Sequence, residues 1–387
     1  MAPTSPSLLV DAPVDPDARS SAPVGASGGV TAVVYCEGNF GEIDGKTANG
    51  LVRHSERYRV VAVVDSRHAG ADAGEVLDGR ANGIPVCGSM AEALRLPSGR
   101  PDRFIIGMAP ASGLLSPGER ATVLEAMAQG MSIVNGLHEF LDDDAEFAAA
   151  GAAYGVTIHD VRRPRATKDL RMFSGRIATV DCVRIAVLGT DGAIGKRTTS
   201  TVLAQALNDA GIRTVLVGTG QTSIIQGARY GIALDAIPAQ FSVGELEATV
   251  VEAWEDQHPD VIIVEGQGAL SHPAYLSSAA VLRGSRAQAV VLQHAPARRQ
   301  LSDFPGFPMP TAASEIDLIE TFADTTVIGL TINHEAMSDA EVSEAIVAYE
   351  ADLGIPVTDA LTRSPSRLVD LVLGAFPQLR RTTAAVA

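Results

Sequence analysis

Val183-Arg184-Ile185-Ala186-Val187-Leu188-Gly189-Thr190-Asp191-Gly192-Ala193-Ile194-Gly195-Lys196-Arg197-Thr198-Thr199 decides how the rest of the chain is read. An apolar run, a glycine-bearing loop ending in Gly-Lys and a helical pattern follow one another, the order of a phosphate-binding P-loop. Glycines let the backbone curl so that its N–H groups face phosphate oxygens. The following helix offers the positive end of its dipole, and Lys196 adds a full charge. The spacing is altered: a strict match would place a glycine at 190 and a hydroxyl at 197, where the chain has Thr190 and Arg197. Gly189 comes one residue early and Thr198 one late. The hydroxyl after the lysine normally holds Mg²⁺. Arg197 therefore suits a phosphate-rich ligand that needs no metal, such as coenzyme A, at least as well as ATP with Mg²⁺. The expected phosphate contacts are Gly189, Thr190, Asp191, Gly192, Gly195, Lys196, Arg197, Thr198 and Thr199.

Downstream, Thr214–Val217 reads as a strand, and Gly218-Thr219-Gly220-Gln221-Thr222-Ser223 as a second polar, glycine-rich loop. Gln221 and Thr222 are candidate substrate contacts there. Val261–Val264 is an apolar strand with Glu265-Gly266-Gln267-Gly268-Ala269-Leu270-Ser271-His272-Pro273 at its tip. An acid closing a buried strand beside a P-loop is the Walker-B arrangement, so Glu265 suits a metal, a water or a substrate amine. Gly266 and Gly268 permit close approach of a substrate near Gln267. His272 is either a general base or a histidine satisfied within the core. Ala289–Leu292 is a strand leading to Arg298 and Arg299, a pair suited to gripping a carboxylate. Thr326–Ile332 ends at Asn333-His334, and Ile355–Asp359 is the last strand. Helices are expected over 245–255, 338–353 and 367–374.

The N-terminal half alternates in the same way. Residues 1–28, rich in Ala, Pro, Ser and Asp, read as a disordered tail. Strands are expected over Val30–Tyr35, Arg59–Val64, Ile84–Val86, Arg103–Gly107, Ser132–Val134 and Val156–His159, with helices from Lys46, over 90–94, 117–129 and 142–154. This β/α repetition predicts an open parallel sheet flanked by helices, a Rossmann-like domain over 29–160. Gly38-x-x-Gly41-x-x-x-Gly45 is not the dinucleotide fingerprint, so nicotinamide is not expected. Lys46 is a candidate anion ligand. Asp65, Asn135, His138 and Asp160 sit at strand ends, where turn, cap and binding roles are all open. Residues 161–176 link this half to a P-loop domain over 177–379 and carry Arg162, Arg163, Arg165, Lys168, Arg171 and Arg176. That basic cluster is either a surface linker or one wall of an anion site, with Arg162 as its substrate contact. A short tail closes the chain at 380–387.

With 387 residues the chain is long enough for two domains of ~100–200 residues each. A formal net charge of −16 argues against nucleic acid as a partner, because phosphate contacts need clustered Lys and Arg. Cys36, Cys87 and Cys182 are scattered, with no C-x-x-C and no metal-ligand spacing; no metal site is expected. No run approaches ~20 apolar residues and no secretory signal is present, so a cytoplasmic enzyme without membrane contact is expected. Large apolar α/β proteins often form symmetric dimers, so a homodimer is the expected assembly.

Two resemblances follow from these motifs. Gly189-Thr190-Asp191-Gly192-Ala193-Ile194-Gly195-Lys196 resembles the P-loop of dethiobiotin synthetase, and Glu265-Gly266-x-Gly268 resembles that enzyme's acidic-Gly segment; Asn333 falls where that family places a base-contacting Asn. The longer likeness, over roughly residues 30–375, is to the D-glutamate N-acetyltransferase family, catalogued as a domain of unknown function. It is similar in Gly45-Lys46-Thr47-Ala48, Val64-Asp65, the P-loop with Thr198-Thr199, Thr219-Gly220-Gln221-Thr222, and Glu265-Gly266-Gln267-Gly268…His272-Pro273. This likeness implies acetyl transfer from acetyl-CoA to the α-amine of an acidic D-amino acid. For such a reaction the residues themselves suggest that Glu265 or His272 takes the proton and that Arg298 and the Arg162–Arg165 cluster hold carboxylates. The first likeness implies instead an ATP-dependent kinase or carboxylate–amine ligase.

Overall fold

The computed structural model describes residues 29–110 and 112–380; the tails expected at 1–28 and 381–387 lie outside the described residues. Two all-parallel sheets account for the architecture. The first contains β1 (Val30–Tyr35), β2 (Tyr58–Val64), β3 (Val86–Cys87), β4 (Arg103–Ile106), β5 (Ser132–Asn135) and β6 (Ile158–Asp160) in the order β3-β2-β1-β4-β5-β6. That is the doubly wound Rossmann order. Its helices are α1 (Lys46–Arg53), α2 (Ala73–Asp78), α3 (Met90–Ala93), α4 (Pro117–Ala128) and α5 (Ala145–Tyr154).

In the C-terminal sheet the strands are β7 (Val183–Gly189), β8 (Thr214–Gly218), β9 (Tyr230–Gly231), β10 (Val261–Glu265), β11 (Ala289–His294), β12 (Thr326–Ile332) and β13 (Val357–Thr358), ordered β13-β12-β11-β7-β10-β8-β9. The P-loop strand β7 lies between β11 and β10, and every one of its residues is buried. A strand covered on both faces needs a continuous apolar run rather than alternation, which is what Ile185–Leu188 provides. Among the described residues seven helices accompany this sheet: α6 (Lys196–Asp209), α7 (Gln221–Gln226), α8 (Ala239–Gln257), α9 (Ser277–Ser285), α10 (Ala312–Phe322), α11 (Asp339–Leu353) and α12 (Ser366–Ala375).

Local chemistry explains most helix ends. Ser116 with Glu119, and Ser338 with Glu341, form reciprocal capping boxes at the starts of α4 and α11. The helix expected from residue 142 begins later, because Asp144 is extended and accepts the N–H groups of Glu146 and Phe147. The glycine-rich loop expected over Gly218–Ser223 ends early: α7 starts at Gln221, with Gly220 as its cap and Gly227 at φ 116° as its stop. The polar first turn of α7, Gln221-Thr222-Ser223, carries no apolar periodicity to announce a helix. Helices α2, α9 and α10 also go beyond the sequence expectation.

The basic linker is docked on α8. Glu245 and Glu247, both buried, accept from its main chain: Glu245 from the Arg171 N–H at 2.6 Å, Glu247 from the N–H groups of Ser174 at 2.6 Å and Ile177 at 3.2 Å. Arg171 also pairs with Glu245, and Arg176 with Glu255. A Cβ at Gly244 would lie 2.3 Å from the Met172 carbonyl carbon and 2.4 Å from the Arg171 oxygen. Backbone cannot yield cheaply at such a contact. Gly244→Ala should therefore lower stability by about 1–3 kcal/mol, read as an earlier urea midpoint with far-UV circular dichroism retained.

Candidate functional site

The loop after β7 is shaped for an anion. Gly195 caps α6 at φ 97°, with no side chain satisfying the first amides of the helix. The leading N–H groups of a helix have no partner within it, so those of Lys196, Arg197 and Thr198 are left for a ligand. Gly189 lies against the Lys196 side chain: a Cβ there would meet Lys196 Cδ at 3.0 Å and Gln293 O at 3.0 Å. The Lys196 side chain is buried and its Nζ donates to the Asp191 carbonyl. Burial pushes its pKa from 10.5 down to about 8, against the opposing pull of Asp191 and Glu265.

Several residues expected to touch phosphate instead hold the loop in shape. Buried Asp191 accepts the Gly192 N–H at 2.7 Å, the Arg298 guanidinium at 2.8 Å and the Ser302 N–H at 2.9 Å. Thr190 N–H donates to the Gln293 carbonyl at 3.1 Å, and its hydroxyl meets His294 Nδ1 at 2.9 Å. Thr199 donates to Gln293 Oε1 at 2.6 Å. Arg197 turns away along α6, donating to Gln226 Oε1 and Thr201 Oγ1, each at 2.7 Å. Asn333 accepts the Glu335 N–H at 2.9 Å, and its Nδ2 would lie 3.9 Å from a Cβ on Gly195.

At the tip of β10, beside β7, Glu265 is buried; its Oε2 accepts the Thr219 N–H at 3.0 Å and its carbonyl accepts the Thr219 hydroxyl at 2.9 Å. Gln267 donates to the Thr219 hydroxyl at 2.8 Å. Gly268 lies under an aromatic lid: a Cβ there would sit 3.2 Å from Tyr275. His272 stacks on Tyr275 with ring centroids 4.3 Å apart and meets the edge of Phe304 at 5.6 Å. Its Nδ1 accepts the Ala274 N–H at 3.2 Å, while its Nε2 is buried and makes no hydrogen bond among the described residues. Burial lowers the His272 pKa, so the neutral ring, accepting at Nδ1, carries its proton at Nε2. Tyr275 donates to Asp303 at 2.7 Å. Beside His272, a cavity of about 270 Å³ is lined by Pro273, Leu301, Phe307 and Met309.

Two of the arginines expected to bind carboxylates, Arg298 and Arg162, already have acidic partners. Arg298 joins Asp191 and Glu335 and donates to the Gly192 carbonyl at 2.9 Å. Arg162 is buried, paired with Asp235 and bonded to the Gly136 carbonyl at 2.7 Å. Lys46 is exposed at the start of α1. Thr222 meets Thr47 across the domain junction at 2.9 Å, and Gln221 packs against Gly136. Asp65 accepts the Gly38 N–H at 2.7 Å and pairs with His68, and Asp160 accepts the Leu141 and Asp142 amides. Tyr275, Asp303 and Phe304 are site neighbours outside the sequence expectation, and Thr219, quoted there only as part of a loop motif, proves to hold Glu265. Phe304 and Phe307 are three residues apart in a chain only 4% aromatic, a signal in the sequence, whereas Tyr275 joins them only in the fold.

A P-loop sheet joined to a Rossmann-like sheet, with a buried lysine and a buried carboxylate at its phosphate-loop end, defines a two-domain α/β protein of the P-loop class. Residues 171–369 match the family described as "Domain of unknown function (DUF1611_C) P-loop domain", and residues 66–164 match its Rossmann-like N-terminal domain. The chain belongs to this DUF1611 family. A D-glutamate N-acetyltransferase of Tritonibacter scottomollicae is 29% identical over 273 residues, 69% of this chain and 80% of that protein. A second of that name, from a Pseudoalteromonas species, is 30% identical over 72% of this chain and 82% of its own length. The crystal structure of a DUF1611 family protein from Anabaena variabilis superposes with a TM-score of 0.81 at 32% identity, covering 89% of this chain and 99% of that one.

A phosphate needs Lys196 protonated. Above about pH 8 the free loop has lost that proton, so binding must take one up. Affinity for pyrophosphate should fall up to tenfold between pH 8 and 9, measured by calorimetry. Lys196→Ala should bind weakly with a flat profile over that interval.

Proposed function

We propose that the protein transfers an acetyl group from acetyl-CoA to the amine of D-glutamate or a related acidic amino acid. The observation that carries the reading is the pairing of the two named relatives with this site. An uncapped helix start and a buried lysine suit the phosphates of coenzyme A, with Glu265 and His272 next to them. The apolar cavity beside His272 suits the pantetheine arm and acetyl group.

Glu265 is the base in this reading. Its carboxylate takes a proton from the substrate ammonium, and the freed amine attacks the thioester carbon. The C–N bond forms, the C–S bond breaks, and the second proton of the attacking nitrogen passes to the leaving thiolate, which departs as the free thiol of coenzyme A. His272 serves as a donor rather than a base, since its free ring position carries hydrogen. Its Nε2–H suits the oxygen that gains charge as the tetrahedral centre forms. Exposed Lys46 is left for a substrate carboxylate, because Arg298 and Arg162 are engaged by Asp191, Glu335 and Asp235.

Thiol release from acetyl-CoA in the presence of D-glutamate tests the proposal, with L-glutamate and aspartate as comparisons. Glu265→Gln should lower kcat ~10²–10⁴-fold with a smaller change in KM. His272→Phe keeps the stacking but removes the donor and should cost ~10²–10³-fold. No thiol release with any acidic amino acid would sink the assignment, and amino-acid-dependent ADP formation would replace it with a ligase.

A further inference from the structure

Arg197 poses a charge problem that the phosphate loop does not resolve. It occupies the first turn of α6, where the helix dipole disfavours a cation, and it follows Lys196 directly. Its side chain is half-buried, and its hydrogen bonds go to neutral oxygens, those of Gln226 and Thr201. No carboxylate among the described residues forms an ion pair with it; Glu265 and Glu56 act on it only through space, and burial lowers its pKa. Glu56 is held at the rim by His54 at 3.2 Å. A cation withdrawn from water ordinarily has a partner.

Arg184 shows how this fold treats another buried guanidinium. Its N–H groups go to the carbonyls of Val180, Cys182 and Ser285 at 2.6, 2.9 and 2.9 Å, the last belonging to the final residue of α9. A helix C-terminus is the favourable end for a cation. Arg197 has the opposite environment.

Against Arg197 opens a cavity of about 200 Å³, lined also by Thr201, Gln205, Asn208, Glu56 and Tyr230. It lies between α6, the end of α1 and the β8–β9 side of the C-terminal sheet, and none of Gly189–Lys196 lines it. We propose that this cavity is a second binding site, for a small oxyanion, carboxylate or phosphate, that pairs with Arg197 and is separate from the phosphate loop. Gln226 extends the consequence. It accepts from Arg197 and donates to the Gly50 and His54 carbonyls of α1 at 2.7 and 2.8 Å. An anion on Arg197 therefore bears directly on the junction of the two domains.

The test uses full-length Lys196→Ala protein, in which the phosphate loop is crippled, and follows thermal unfolding against inorganic phosphate and, separately, glutarate, with chloride at matched ionic strength. The oxyanion class that the site takes should raise Tm by about 5 °C at saturation, and the other should not. The phosphate and glutarate arms distinguish the source of the oxyanion. Adding Thr201→Glu places a carboxylate one turn from Arg197. It should raise Tm in anion-free buffer and abolish the dependence, whereas Thr201→Gln should keep it. No oxyanion-specific shift in the Lys196→Ala protein, or a shift that survives Thr201→Glu, would overturn the proposal. Neither outcome touches the thiol-release assay, so the two readings fail separately.

Discussion

A lysine lowered into the floor of a parallel sheet constrains everything around it. Lys196 is buried, and a buried ammonium is costly unless carbonyls and carboxylates surround it. Asp191 supplies its carbonyl to Nζ and its charge, and Glu265 adds a second charge from the adjacent strand. Asp191 in turn has to be held, and the Gly192 amide, Arg298 and the Ser302 amide hold it. The loop is thus preorganised by groups that resemble ligand contacts but serve the lysine. A preformed cradle is what a polyanion needs, because no reorganisation is left to offset the gain on binding.

The same logic accounts for the joint between domains. Helix α1 packs against α7, with Thr47 and Thr222 sharing a hydrogen bond and Gln226 reaching the last carbonyls of α1. Arg162 closes a second contact through Asp235 and Gly136. Both contacts arise at the carboxyl ends of strands, the side on which open α/β sheets gather their ligands. The linker between the sheets is pinned by Glu245 and Glu247, and its Arg162, Arg163, Arg171 and Arg176 each pair with an acid, Asp235, Asp160, Glu245 and Glu255. An acidic protein with a basic linker needs no anion to explain it.

Much of this was legible in residue order. Continuous apolar runs such as Ile185–Leu188 identify buried parallel strands because both faces are covered, and glycine with lysine after such a run identifies the phosphate loop. The boundaries of β1 and the start of α1 at Lys46 match the expectation from the β-branched run and the glycine before the lysine. Helix α7 was not legible, because its polar first turn reads as loop, whereas the still shorter α3 begins at an apolar Met90 and was expected. Side-chain direction was not legible either. Arg298 read as a carboxylate grip because two arginines follow a strand, yet Asp191 and Glu335 engage it.

Residue order by itself determined two parallel α/β domains, the position of the phosphate loop and the acidic residue beside it. Those rest on periodicity and on the few residues able to curl a backbone around an anion. Tertiary structure decided which polar groups remain available. Arg197 points along α6 instead of into the loop, and His272 keeps a buried hydrogen at Nε2 because the Ala274 amide occupies Nδ1. Such outcomes depend on partners distant in sequence and on what burial charges an unpaired group, and neither is written in local spacing.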